Sequence, residues 1–263
     1  MSSREPWGLK GKAIKDKIAA GEPVVCIGLW FPDPLIGELL TMFPIDVFFV
    51  DLEHAPWEIA SIQQLLSVTR NDPVAVVVRP GNVDQAKIQL LLDLGVDGIA
   101  ISHCDTLATT RQAIDAAKYP PIGRRGIGPT RASRYLTDID SYLQQANDAV
   151  FLWLQVERDV PQKELAQMLD QPGVDALLVG PCDIASALSQ TACMDHPGVN
   201  RVIRQTVEVA RDKNIPFGVP GAAPGDYPGQ MIFLQASDVE ALKQGAARLL
   251  NASPTNAPVK TTC

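Results

Sequence analysis

An α/β chain closed into a modified (β/α)8 barrel is what this sequence predicts, on three observations. Short apolar runs alternate with stretches of helical periodicity along nearly the whole chain. The runs are continuous rather than alternating, the pattern of strands buried on both faces. And 263 residues with no linker-like segment suit one barrel. A doubly wound parallel sheet is the runner-up. One catalytic domain is expected over residues 1–250, with a patternless tail, 251–263, expected to be mobile.

Taken in order, Leu9, Ala13, Ile14, Ile18 and Ala19 share a helical face, and Gly21 stops that helix. Val24–Trp30 reads as a strand. A helix over Pro34–Met42 follows, with Asp33 as N-cap and Pro34 at its first position. Asp46–Asp51 is the second strand, Glu58–Val68 a helix, Val74–Val78 the third strand, ending at Arg79-Pro80. A helix over Val83–Leu94 is closed by Gly95, and a fourth strand, Gly98–Ser102, ends at His103.

After a helix over Leu107–Ala117 comes an irregular stretch, Tyr119–Arg134, broken by Gly and Pro and carrying Arg124, Arg125, Arg131 and Arg134. Long irregular loops in compact domains tend to be functional or disordered. A short helix near Ser141–Ala146 leads to the fifth strand, Phe151–Glu157. Along it Val150, Leu152, Leu154 and Val156 share one face, and Phe151, Trp153, Gln155 and Glu157 the other. That second face starts apolar and ends in an amide and a carboxylate, which are costly to bury unless something binds them.

Next come a helix over Pro161–Leu169, a sixth strand over Asp175–Val179, and helical segments near Ile184–Leu188 and over Val199–Asp212. Pro216–Val219 and Met231–Gln235 are the last strands and Val239–Leu250 the last helix. Pro220–Gln230 is too rich in Pro and Gly for a helix, so the seventh crossover helix is expected to be missing.

A net charge of -7 argues against nucleic acid or an anionic membrane as partner. No segment approaches the apolar length of a membrane span, and the N-terminus lacks the apolar core of a signal peptide. The five cysteines, Cys26, Cys104, Cys182, Cys193 and Cys263, are odd in number and lack metal-site spacing. They read as reduced thiols of a cytoplasmic protein, in which the Asn251-Ala252-Ser253 sequon would go unused.

The strand ends carry Asp51, Glu53, His54, Arg79, His103, Gln155, Glu157 and Asp183. A barrel projects them onto one rim, its C-terminal face, where barrel enzymes keep their sites. Glu157 and Asp183 suit a hard divalent cation. Gly180-Pro181-Cys182-Asp183 opens a helix whose first N–H groups suit a carboxylate or phosphate, although an ordinary tight turn reads the same way. Arg79 suits oxyanion stabilisation, or else a salt bridge. His54 suits general-base work, and Asp93 a supporting carboxylate or a mere cap.

With these residues the chain resembles the metal-dependent (class II) pyruvate aldolases of the HpcH/HpaI family, of the 4-hydroxy-2-oxo-heptane-dioate aldolase type. The matching stretches are Gly28-Leu29-Trp30 with Asp33-Pro34, Asp51–Pro56, Val78-Arg79-Pro80, Leu91–Gly95, Tyr119–Gly128, Arg131–Tyr135, Gln155-Val156-Glu157 and Gly180–Asp183. The resemblance implies a modified barrel, usually hexameric, with the last helix exchanged between neighbours. It implies a divalent metal (Mg²⁺, Mn²⁺ or Co²⁺) on Glu157 and Asp183, and a 2-oxo acid bound by Gln155, Gly180, Pro181, Cys182, Asp183 and Trp30. Arg79 would stabilise the pyruvate enolate and His54 act as base, with Asp93 keeping it basic and Asp51 and Glu53 in the water network.

The implied reaction cleaves, or forms, a 4-hydroxy-2-oxo acid as pyruvate plus an aldehyde, with oxaloacetate decarboxylation as a side activity. A lyase acting mainly on oxaloacetate or a CoA thioester is the alternative, and a non-catalytic keto-acid sensor a third reading. A Schiff-base route is disfavoured because no Lys falls at a strand end. His103-Cys104, Arg158 and the Pro220–Gln230 loop depart from the family pattern.

Overall fold

The computed structural model describes residues 9–189 and 195–250. The expected tail, the Asn251 sequon, Cys193 and Cys263 lie outside the described residues. The elements run α1 (Gly11–Ala19), β1 (Val24–Leu29), α2 (Pro34–Leu40), β2 (Val47–Asp51), α3 (Ile59–Val68), β3 (Ala75–Arg79), α4 (Gln85–Leu94), β4 (Gly98–Ile101) and α5 (Leu107–Ala117). A 3-10 turn at Arg134–Leu136 precedes α6 (Ile139–Ala149), β5 (Phe151–Val156), α7 (Gln162–Leu169), β6 (Ala176–Val179) and α8 (Pro181–Ala187). Then come α9 (Pro197–Asp212), β7 (Phe217–Gly218), β8 (Ile232–Ser237) and α10 (Asp238–Leu249). The eight strands pair in sequence order, all parallel, and β8 pairs with β1 to close the barrel.

Side-chain alternation along the strands sorts the core into two layers. Outward residues such as Phe48, Val50, Val76, Val78, Leu152, Leu154 and Leu177 pack under the helices. Inward ones, Val24, Cys26, Phe49, Val77, Phe151, Trp153 and Leu178 among them, fill the lumen with Ala75, Ala100 and Ala176. The lumen rings pack on one another: Phe49 stacks on Trp153 at 6.0 Å between centroids, and Phe151 meets Trp153 edge-on at 5.5 Å. The two faces read from the fifth strand are therefore its lumen and helix faces. The lumen is a packed plug, so a ligand can enter only from a mouth.

Local signals place the helices. The Asp33 carboxylate accepts from the Leu35 N–H at the start of α2. Gly95 closes α4 in the left-handed region at φ 93°, where a side chain would be strained. α6 is longer than its sequence signal because Tyr142, Ala146 and Ala149 are buried along it and extend its packed face. Between β7 and β8 there are only turns among the described residues, as the Pro- and Gly-rich stretch requires. β7 is correspondingly reduced to two residues.

The first and last elements are tied by one buried carboxylate. Asp238, at the start of α10, accepts from the main-chain N–H groups of Trp30 (3.0 Å) and Phe31 (2.8 Å) just past β1. Beyond that tie α10 is lightly packed, leaving Leu242 and Leu249 exposed, and α2 likewise leaves Leu35 and Leu39 exposed. No described helix is long and apolar enough to cross a membrane.

Candidate active site

The aromatic plug ends below the C-terminal mouth, and a polar layer sits on it. The Arg79 guanidinium lies 5.6 Å from the centre of the Phe49 ring. Asp51 and Arg79 are register partners at the ends of β2 and β3, which aims both side chains at one point. The fork closes on the carboxylate, Nε to Oδ1 at 2.9 Å and Nη2 to Oδ2 at 2.5 Å. Glu53 Oε2 lies 3.3 Å from Nε.

Both partners of the pair are buried. Burial alone would push the Asp51 carboxyl up, but the guanidinium holds it below the ordinary range. Burial would likewise lower Arg79, yet Asp51, Glu53 and Glu157 keep it above its ordinary value. Asp51 also receives the N–H groups of Glu53 (2.9 Å) and His54 (3.4 Å), so the turn after β2 is folded over its carboxylate. His54 is thereby held at the rim with its side chain exposed.

From Arg79 the polar chain runs across the mouth. Its Nη1 donates to Gln155 Oε1 at 3.4 Å, and Gln155 Nε2 donates to Glu157 Oε1 at 2.6 Å. The other Glu157 oxygen receives the His103 N–H at 2.7 Å, and the Glu157 N–H donates to Asp105. Burial pushes the Glu157 carboxyl up; the His103 contacts oppose this, and the charges of Asp183 and Glu53 add to it.

Gly180 fixes where Asp183 stands. A Cβ there would lie 2.9 Å from Glu157 Cγ and 3.3 Å from Asp183 Oδ2, so both acids border the space that its missing side chain leaves. Its dihedrals (φ -95°, ψ 89°) lie outside the left-handed region, so the demand is for space rather than for backbone freedom. Gly180→Ala is therefore expected to crowd Glu157 and Asp183, costing about 1–3 kcal/mol of stability. Thermal unfolding checks this, and an unchanged melting temperature would show that the space is not needed. Trp30 folds back over β1, where a Cβ on Gly28 would overlap its ring.

This donor set fits a hard divalent cation. Asp51, Glu53 and Glu157 act on the Arg79 guanidinium, and Asp183 adds a further negative charge beside Glu157. No three His, Cys, Asp or Glu side chains among the described residues form a ready-made cage. Two carboxylates with the remaining positions open is what Mg²⁺ and Mn²⁺ accept, taking other oxygens from water or substrate.

One expected neighbour is not brought here. Asp93 is the penultimate residue of α4, which runs back from the C-terminal mouth to the strand starts. Its carboxylate takes Arg125 Nη2 at 2.7 Å. Within one chain Asp93 therefore stands toward the strand starts, while His54 stands at the C-terminal rim. The Arg-rich loop lies there too. Arg131 donates to Leu94 O and Leu66 O, at the ends of α4 and α3. Arg125 stacks 4.7 Å from the centre of the Tyr119 ring. His103 runs the other way. The sequence placed it at the rim without a role, and the structure sets it between two of the acids.

Residues 27–219 match the HpcH/HpaI aldolase/citrate lyase family. The chain is 33% identical over 215 residues to the 4-hydroxy-2-oxo-heptane-1,7-dioate aldolase of Salmonella dublin, spanning 81% of this chain and 79% of that protein. Among solved structures it resembles an HpcH/HpaI aldolase from Desulfitobacterium hafniense, with TM-score 0.81, 30% identity and coverage of 93% and 98% of the two chains. An aldolase/citrate lyase family protein from Burkholderia cenocepacia aligns with TM-score 0.85 at 26% identity, covering 91% and 98%.

Proposed function

Because the chain belongs to the HpcH/HpaI aldolase/citrate lyase family, we propose that it is a divalent-metal-dependent pyruvate aldolase working at the mouth formed by Asp51, Arg79, Gln155, Glu157 and Asp183. The observation that carries the reading is the continuous polar chain from Asp51 through Arg79 and Gln155 to Glu157, with Asp183 bordering its end. Mg²⁺, Mn²⁺ or Co²⁺ on Glu157 and Asp183 would supply Lewis acidity at the oxygens of a 2-oxo acid.

This chain's own residues do the rest. The first turn of α8, which carries Cys182 and Asp183, suits the substrate carboxylate. Gly180 and Pro181 give that carboxylate room, Gln155 offers a side-chain contact, and Trp30 walls the mouth. Arg79, locked by Asp51, presents its remaining N–H groups to the keto oxygen. His54 takes the proton from the 4-hydroxyl. The C3–C4 bond then breaks, its electron pair moves into the C2 carbonyl, and an aldehyde leaves. Arg79 stabilises the resulting pyruvate enolate, and protonation at C3 completes pyruvate. Oxaloacetate would lose CO₂ to the same enolate.

The exposed leucines of α2 and α10 support a homo-oligomer, a hexamer with α10 exchanged between neighbours in this reading. The reduced thiols support a cytoplasmic enzyme. The test is pyruvate release from 4-hydroxy-2-oxo acids after thorough chelation. Activity should vanish and return with Mn²⁺. Turnover that survives chelation, or pyruvate trapped on the protein by borohydride, would overturn the reading.

A further inference from the structure

Both oxygens of Glu157 already have partners. Gln155 Nε2 donates to one; the other receives the main-chain N–H of His103 at 2.7 Å and lies 2.6 Å from the Nδ1 of the same residue's ring. The opposite ring nitrogen, Nε2, lies 3.1 Å from Glu53 Oε1. His103 reaches this position through a left-handed backbone, φ 52°, which is uncommon outside glycine.

These donors differ in their freedom to leave. Gln155 is buried and also tied to Arg79. The His103 N–H is fixed by the chain. The imidazole is the loosely held one, its side chain 51% exposed at the rim. A cation can use the outer Glu157 oxygen only where the ring is not.

Resting on the aldolase reading, we propose that the His103 imidazole is a positioning residue that holds Glu157 ready in the cation's stead and swings off its oxygen when the cation binds. The ring competes with the metal. Seated on the Glu157 oxygen, it lowers the apparent affinity for the metal. Once displaced, it stays beside Glu53, on the side of the mouth away from Gly180.

The test uses the full-length protein without substrate. Mn²⁺ affinity is measured by electron paramagnetic resonance for wild type, His103→Gly and His103→Asn. Both variants suit the left-handed backbone and keep the main-chain N–H. Loss of the competing ring should tighten Mn²⁺ binding about tenfold in each. General damage to the site would weaken binding instead. In the wild type, the ring nitrogen resonances of His103 should move on adding Mg²⁺, while those of His196, at the start of α9, stay in place. Unchanged or weaker Mn²⁺ affinity in either variant, or a His103 ring that ignores Mg²⁺, overturns this inference alone. A wild type that binds no Mn²⁺ overturns the aldolase reading with it.

Discussion

Replacing Arg79 by Ala should lower kcat about 10²–10³-fold, the usual loss when a donor to a developing oxyanion is removed. It should also destabilise the fold by about 3–5 kcal/mol, because one partner of a buried ion pair is left behind. Asp51 is fully buried, and Arg79 supplies two of the donors to its carboxylate. Arg79→Lys keeps the charge but not the fork, so it should recover part of the stability and little of the rate. Asp51→Asn in the Arg79→Ala background should restore stability without activity, which separates the two roles.

The pH dependence has a definite sign. The folded Asp51 carboxyl sits below its ordinary value, so the pair contributes fully above about pH 4. That contribution is lost as pH falls through the folded value. The stability gap between wild type and Arg79→Ala should therefore narrow in acid, as urea unfolding at several pH values would show. An Arg79→Ala enzyme with unimpaired kcat would remove the guanidinium from the chemistry.

Glu157→Gln should abolish Mn²⁺ binding and reduce kcat/KM by about 10³-fold or more, since several kcal/mol of charge stabilisation would go with the cation. The amide is nearly isosteric and can still accept the His103 N–H, so folding should be little affected. Asp183→Ala should act in the same direction. The two single losses should not add, because either one dismantles the same site. Mn²⁺ titration with steady-state kinetics checks both, and a Glu157→Gln enzyme of normal metal affinity would end the two-carboxylate account.

How far these features could be read from the chain varies by residue. Continuous apolar runs located all eight strands, since burial on both faces leaves little room for other patterns. Asp33 and Gly95 announced their helix ends through local chemistry. The lumen face of β5 was visible as Phe151, Trp153 and Gln155, because strand alternation is strict. The bridge from His103 was not legible. It depends on a left-handed turn that no neighbouring glycine signals. The surroundings of Asp93 were hidden for a different reason: helices of a barrel return antiparallel to its strands, which puts the last turn of α4 at the strand starts, beside Arg125.

The Asp238 tie bears on how the protein is made. Its partners at Trp30 and Phe31 are translated some 207–208 positions earlier. Until β8 is made, the edge of β1 that it covers has no strand to pair with. Closure waits for β8 and for the carboxylate that follows it. Until then the nascent edge is exposed to chaperones and to other chains. Truncation before residue 232 should therefore yield an aggregating product rather than a smaller barrel.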